Sequence, residues 1–597
     1  DVPPEPIRAA LRQAGVVASA DASVQIVMTD NLLRPELELI DHAARAMGRS
    51  WLLVRPVGER PLIGPFFSSD DGPCWSCLAA RVRQNRPVEV YLEQQTGEMV
   101  FPPMRRLPAR MAAAAAMAAN ALDDPAALRA SICELRPDLT TRIHAVTRRP
   151  QCASCGDPAL VATQREAEVR LQERPRAAFL DGGYRAVHPE VILDRLEAQI
   201  SPLTGIVAHL KPSADRDHPL RPVFEAGYFL APRRLRRGPQ AFEQLSMGKG
   251  RSRAQSRASA VCEAIERWST VHQGDESFRR DRAAALGDTA RTPPTLLGFS
   301  EAQYAARVPD SDPNRAIPLP FEPDVEIDWT PAWSLTHGCR RYLPAAYCYA
   351  RYPVPPQARF CFHNPNGTAA GGNLEEAVLQ GFLELVERDG TAIWWYNQLS
   401  RPAVDLGSFQ HVYFTRLQDH YRQLGWTLWV LDLTTDLQIP TFVALAQHGE
   451  TGDFCIGLGC HLEAWLGVQR ALTELNQLFD PSRPQHASWL PDALRQARFL
   501  FPEGTRTADA FASVSFPDIR DAVEHCVARV AALGMETIVI DHSRPDAGLS
   551  VAQVVVPGLR HFWPRLGPGR LYDVPVKMGW RDAPHHESTL NPHPLYL

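Results

Sequence analysis

The chain has 597 residues, of which 45% are hydrophobic and 22% charged, and it carries a formal net charge of −5. That length exceeds what one hydrophobic core fills, so two or three domains are expected, and the ordinary composition excludes disorder over long stretches. The small net charge gives no electrostatic reason for nucleic acid or an anionic membrane as partner, and no run of about 18 apolar residues exists to cross a bilayer.

Residues 1–160 begin with the alternation of an α/β unit. Val24 to Asp30 reads as a buried strand. Pro35 to Met47 has helical periodicity, with Leu37, Leu39, Ile40, Ala43, Ala44 and Met47 on the apolar side, and Trp51 to Val54 returns as a strand. The alanine-rich stretch Met111 to Leu122 predicts a packed helix. A connector, 161–192, follows, polar and helix-prone from about Ala162 to Arg174, with Pro175 as a stop for that helix. From 193 to 597 helical and strand patterns mix without strict alternation, which predicts an α+β arrangement in layers. The basic run Arg233-Arg234-Leu235-Arg236-Arg237 reads as a solvated loop, and DNA binding through it has nothing else behind it. The C-terminus, rich in Pro and His, reads as an extended tail. No secretory pattern is present, and a bacterial cytoplasmic protein is expected.

Four of the twelve cysteines form two close pairs, Cys74-Trp-Ser-Cys77 and Cys152-Ala-Ser-Cys155. Thiolates so spaced on tight turns can share one tetrahedral ion, and four sulfurs leave no open position for water. A structural Zn²⁺ is the expectation; metal-free thiol turns or redox pairs are the alternatives.

Two helical patterns carry carboxylates in otherwise apolar surroundings. Ser259, Glu263 and Glu266 fall at i, i+4 and i+7, after Gly248-Lys249-Gly250. Asn373, Glu376, Gln380, Glu384 and Glu387 form a second stripe, which Asn373 can also cap. Such acids repel one another unless a cation compensates, and Mg²⁺ prefers carboxylates together with phosphate oxygens. The alternative is two solvated faces with weak ion pairs.

Ser259-x-x-x-Glu263-x-x-Glu266-Arg267, then Asn373-x-x-Glu376-Ala377, then Glu384-x-x-Glu387-Arg388 resembles the ATP-binding signature of the YcaO superfamily, over roughly residues 193–597. The resemblance implies an α+β fold with ATP and Mg²⁺ among these helices. It implies Glu263, Glu266, Glu384 and Glu387 as Mg²⁺ ligands, Ser259, Asn373 and Glu376 as nucleotide contacts, and Lys249 and Arg388 near phosphate. Ser201 to Val207 and Arg388 to Asn397, with Trp394-Trp395, look like stretches of azoline-forming members, although core packing also explains the tryptophans. The tail Asn591 to Leu597 is similar to the proline-rich tail of these cyclodehydratases. By that likeness His593 or the Leu597 carboxylate helps position or deprotonate substrate, against the simpler account of a surface tail.

The Asp30 strand end, the Trp51 strand, Ile63-Gly64-Pro65 and the two cysteine pairs resemble the ThiF-like domain of peptide-heterocycle biosynthesis proteins, over most of residues 1–160. No G-x-G-x-x-G is present, so scaffolding or docking is expected of this part rather than adenylation. The family's winged-helix leader-binding module is not recognised. A separate leader-binding partner carrying it is expected, beside the precursor peptide as substrate; a downstream azoline dehydrogenase and a homodimer are further arrangements the resemblance allows. The implied reaction is ATP-dependent closure of Cys, Ser or Thr of a ribosomal peptide into an azoline. Thioamide or amidine formation and a non-catalytic peptide-docking scaffold are the alternatives.

Overall fold

The computed structural model describes residues 4–19, 22–68, 71–101, 104–177, 181–213, 217–232, 242–308, 316–480 and 490–596, with side chains undescribed at positions 4, 6 and 7. The basic run at 233–237 and Leu597 lie outside the described residues.

The N-terminal sheet has five strands in chain order: Val24–Met28, Ser50–Arg55, Leu62–Phe67, Ser131–Leu135 and Thr141–Ala145. Only the first pair is parallel, joined over the helix Glu36–Ala46; the others are antiparallel. The expected α/β alternation thus holds for one crossover and then gives way to antiparallel pairing, which needs no helix between strands. Successive side chains face opposite sides, so Leu52 and Val54 join the alanine-rich helix Pro108–Asp123, whereas Trp51 and Leu53 pack with Leu37, Leu78 and Val82.

The connector differs from expectation. Its helix covers only Leu160–Glu166, and Pro175 bridges to Asp518 instead of ending a helix. Tertiary partners override local propensity here: the Gln172 N–H donates to Glu375 Oε1 at 2.6 Å, and Arg174 reaches Glu375 Oε2 at 3.2 Å.

Beyond it lie three sheets. One has three strands, His209–Pro212, Phe224–Phe229 and Glu243–Gly248. A six-stranded sheet is built on Cys339–Pro344, Ile327–Ser334, Ile538–Asp541, Ser550–Val555 and Thr368–Gly371, with Arg279–Asp281 paired to Ile327–Ser334. A five-stranded sheet runs Phe454–Cys460, Thr441–His448, Trp426–Asp432, Arg401–Val404 and Pro502–Arg506. Each sheet delivers one strand directly into one helix: Glu243–Gly248 into Arg253–Ser269, Thr368–Gly371 into Leu374–Asn397, and Phe454–Cys460 into Ala464–Leu478. The three helices wall the principal cavity, the first two together with their strand–helix turns.

The helix Leu374–Asn397 runs through the interior. Its early residues, Ala377 to Val386, pack in one core cluster and its last turns, Ala392 to Tyr396, in another. Trp394 and Trp395 are both buried, at 1% and 0% exposure, so both rings serve packing. The C-terminal tail is no loose surface strand. Leu595 is fully buried in the tryptophan cluster, the Asn591 N–H donates to the Tyr396 carbonyl at 2.8 Å, and Asn591 Nδ2 reaches the Trp395 carbonyl at 3.2 Å. Asn591 so satisfies the Tyr396 carbonyl at the helix end and adds a second donor to that of Trp395, which already accepts from the Gln398 N–H at 3.3 Å.

Candidate functional site

Cys74 begins the helix Trp75–Gln84, and Cys152 and Cys155 lie on a tight turn. The sulfurs of Cys74 and Cys77 are 3.7 Å apart, Cys74 and Cys152 3.5 Å, and Cys77 and Cys155 3.5 Å; all four lie within 4.8 Å of one another. A tetrahedral zinc with Zn–S bonds of ~2.3 Å sets sulfurs about 3.8 Å apart, so the cluster fits such an ion. Ser76 and Ser154 bridge the two turns at 2.8 Å, and the Arg149 N–H points at Cys77 Sγ at 3.3 Å. A Cβ on Gly156 would lie 2.0 Å from the Pro150 carbonyl oxygen, so the second turn closes only around glycine.

The same turns grip the rest of the molecule. Asp546, buried, accepts from Arg81 at 2.5 Å and Gln151 at 2.7 Å, with Arg149 at 3.5 Å. Arg81 stands one turn beyond Cys77, and Arg149 and Gln151 stand just before Cys152.

The principal cavity measures about 400 Å³ and lies between the three helices, at the strand–helix turns of the first two and against the C-terminal half of the third. Ser252 caps its first helix and Asn373 its second, each side chain accepting a backbone N–H in the first turn. A Cβ on Gly248 would sit 1.9 Å from the Ser256 carbonyl oxygen; its absence lets strand and helix close together and brings Lys249 to the wall. Lys249, Ser259, Glu263, Glu266, Glu376, Glu384, Glu387 and Arg388 all line this one cavity. Asn373 does not. It stands at a neighbouring depression, donating to Glu376 Oε1 at 3.1 Å.

Glu376 is engaged by the backbone: it accepts from the N–H of Ala186 at 2.7 Å and of Gly372 at 3.0 Å. Its first task is to hold the strand–helix turn. Two features of the wall escaped the sequence reading. Glu474 pairs with Lys249, and Arg470 bonds Gln380 and, at 3.2 Å, the Gly182 carbonyl. Arg185 also lines the cavity. The spacing Arg470-x-x-x-Glu474 looks like any exposed helical ion pair, so nothing local marked it.

Six carboxylates and five cationic side chains line the cavity. Arg267 lies 3.9 Å from Glu263 and 3.7 Å from Glu266, while Arg388 reaches Glu384 at 3.0 Å and Glu387 at 2.7 Å. This arginine compensation is incomplete. Burial pushes the Glu266 carboxyl up to about 8 and Glu387 to about 7, and raises Glu263 as well, with neighbouring acids adding to the shift. Glu474 goes the other way: Lys249 and Arg388 outweigh its burial and hold it down. The wall thus holds more acid than its own cations can keep ionised. The surplus suits a divalent cation, which displaces protons from carboxylates, while the basic groups suit phosphate oxygens.

His593 lines neither this cavity nor the second large one. Its carbonyl accepts from Trp395 Nε1 at 2.7 Å and its N–H donates to Asn591 Oδ1 at 3.2 Å, so His593 is part of the strap that holds the tail.

The family model described as YcaO cyclodehydratase, ATP- and Mg²⁺-binding, matches residues 247–560, which hold both Glu-x-x-Glu-Arg repeats and Glu474. The chain belongs to the YcaO family. It is thus an enzyme of an ATP-dependent cyclodehydratase family. A heterocyclase solved in complex with substrate and cofactor is 39% identical with a TM-score of 0.91, covering 99% of this chain and 83% of that one. The heterocyclase TruD is 37% identical with a TM-score of 0.80, covering 99% of this chain and 82% of its own. An uncharacterized protein of Methanothermobacter thermautotrophicus is 28% identical over 339 residues, 53% of this chain and 81% of its length. The likeness to the heterocyclases extends through the cysteine-bearing part. Among the described residues, no helix is long and apolar enough to cross a membrane.

Proposed function

We propose that this YcaO enzyme closes Cys, Ser or Thr residues of a ribosomally made peptide into thiazolines or oxazolines at the expense of ATP. The carrying observation is the single cavity in which Glu263, Glu266, Glu384 and Glu387 face Lys249, Arg267, Arg388 and Arg470. The 39% identity to a heterocyclase over nearly the whole chain supports the azoline product over thioamide or amidine formation.

In the reaction, a thiol or hydroxyl attacks the preceding amide carbonyl and gives a tetrahedral hemiorthoamide. Its oxygen takes the γ-phosphoryl group of ATP, releasing ADP. The C–O bond then breaks, phosphate leaves, and loss of the amide proton completes the C=N bond. Glu263, Glu266, Glu384 and Glu387 would hold Mg²⁺, which when bound neutralises charge on the phosphoryl oxygens. Lys249, tied to Glu474, and Arg388, tied to Glu384 and Glu387, are preorganised beside those acids and offer fixed positive charge to phosphate. Ser259 is a further polar contact on the wall for nucleotide.

For the division of the chain we propose 1–160 as a ThiF-like docking unit stiffened by zinc at Cys74, Cys77, Cys152 and Cys155, 161–192 as connector and 193–597 as the catalytic unit. The test is incubation of the full chain with Mg²⁺, ATP and Cys-, Ser- or Thr-containing peptides, read by intact mass. Loss of one water per ring with matching phosphate release is expected. Sulfur incorporation, or ATP hydrolysis indifferent to peptide, would refute the reading.

A further inference from the structure

A second cavity of about 440 Å³ lies against the first. Arg388 lines both, and Leu385 on the same helix faces the second, so the two cavities meet at this turn of the helix Leu374–Asn397. The second cavity has none of the glutamates of the first. Apolar Phe299, Phe362 and Trp563 line it, together with Asn364, His363 and His561. Phe362 is 36% exposed, unusual for a large aromatic ring beside a buried core. Polar groups, Arg388, Arg560 and Arg565 among them, share the lining with these rings, which suits a peptide segment that offers both carbonyl oxygens and apolar side chains.

The backbone fixes the two imidazoles in opposite tautomers. His363 Nδ1 lies 3.3 Å from the Tyr347 carbonyl oxygen, which only accepts, so Nδ1 carries the hydrogen and Nε2 keeps a lone pair. His561 Nδ1 accepts from the Trp563 N–H at 2.8 Å, so Nε2 carries the hydrogen there, and this buried N–H has no partner. Burial pushes His363 down to about 4 and His561 well below its ordinary range, helped by Arg267 and by Arg565 with Arg388 respectively, which keeps both rings neutral. The lining of this cavity therefore holds a neutral acceptor and a neutral donor, and Arg388 links it to the site proposed for phosphate.

Resting on the azoline-forming reading above, we propose that the second cavity seats the reacting dipeptide of the substrate, with His363 Nε2 taking the proton of its thiol or hydroxyl and His561 Nε2–H bonding its carbonyl oxygen. The S–H or O–H proton passes to His363 as the new bond to carbon forms. The carbonyl π pair moves onto oxygen, which His561 steadies, and that oxygen then faces Arg388 and the phosphoryl donor. Phosphate charge arriving beside Arg267 offsets that cation and raises the basicity of His363. Phe362 at the cavity wall packs on the residue before the nucleophile.

The experiment uses the full chain, a synthetic Gly-Cys-containing peptide, Mg²⁺ with ATP for turnover, and Mg²⁺ with a non-hydrolysable ATP analogue for binding. His363→Asn keeps a donor toward Tyr347 but loses the acceptor at the Nε2 position; kcat is expected to fall about 10²-fold or more with KM for peptide little changed. His561→Gln keeps a donor near Nε2 and retains most turnover, whereas His561→Asn loses about 10²-fold. Phe362→Ala raises KM for peptide about tenfold and spares kcat, as loss of one apolar contact does. All four variants bind the analogue as the parent does, which also shows that they fold. Unchanged turnover in His363→Asn and His561→Asn, or loss of analogue binding in them, overturns this assignment while leaving the azoline reading standing. A parent enzyme that releases no water from Cys, Ser or Thr peptides overturns the azoline reading, and this assignment with it.

Discussion

The sulfur cluster and the carboxylate cavity are both metal-suited sites, and they are opposite in design. At the first, four like ligands from two turns close on one point with no position to spare. At the second, carboxylates from separate helices stand in an open cavity, already leaning on arginines and a lysine that are fewer than the acids. Chemistry follows from that difference. A saturated soft site holds its ion permanently and stiffens a fold, whereas an open hard site gains only when something arrives, because charge balance is reached with metal and phosphate together.

The largest effect is expected in the open site. Glu387→Gln and Glu263→Gln should each cut peptide-dependent phosphate release by at least about 10²-fold while leaving the thermal midpoint unchanged or raised, because each removes a buried acid that repels its neighbours. Phosphate release with melting curves checks this; a lower midpoint would mean that the acids are structural. At the closed site the balance reverses. Arg81→Met leaves Asp546 buried with weaker partners, an expected loss of roughly 3 kcal/mol, and Cys74→Ser should release zinc and destabilise the same face. Metal analysis and urea unfolding read both, and Mg²⁺–nucleotide affinity per folded molecule should stay near that of the parent.

Acid sharpens the contrast from another side. Burial pushes His461 down to about 3 and His363 to about 4. Unfolded imidazoles take up protons below about 6.5 and these folded ones do not, so stability is whole above that pH and falls as pH drops toward the folded values. Each contributes about 1.4 kcal/mol per pH unit over that window. Over the same range the raised Glu266 and Glu387 carboxyls gain stability as pH falls. The test is therefore the difference between urea midpoints of the parent and of His461→Asn from pH 7 to 5; a difference that does not change with pH would place this ring in contact with water. The smallest effect concerns the tail. Trp395→Phe deletes the bond to the His593 carbonyl and should cost about 1 kcal/mol, with KM for ATP unaffected.

Much of both sites was legible because their signals are local. Two C-x-x-C turns and a stripe at helical spacing need only a few residues each to be recognised, and the stripes are interior because apolar residues surround them. What stayed hidden depends on distance along the chain. Arg470 and Glu474 join the wall only because the later turns of a third helix pack against the other two. Glu376 lines the cavity, as expected, and also accepts from the N–H groups of Ala186 and Gly372, partners that no spacing rule reports. The proline-rich end likewise hid its role. Leu595 and Asn591 give it packing and hydrogen bonds that separate it from a loose tail, and they set His593 away from both cavities. In the N-terminal sheet, patterning placed the first strand, helix and second strand correctly, but pairing direction beyond them did not follow from it, since the strands Leu62–Phe67 and Ser131–Leu135 pair antiparallel across a connection with three α-helices.

Leu595 closes a cluster whose other members begin at Ala392, and Thr368–Gly371 completes its sheet only against Ser550–Val555. A growing polypeptide therefore exposes Trp394, Trp395 and their apolar neighbours until nearly all of these residues have left the ribosome. Contacts so far apart in sequence form slowly, and the unfinished chain is prone to aggregate in the meantime. Recombinant yield should therefore respond to slower translation and to chaperone supply more than to changes at the surface.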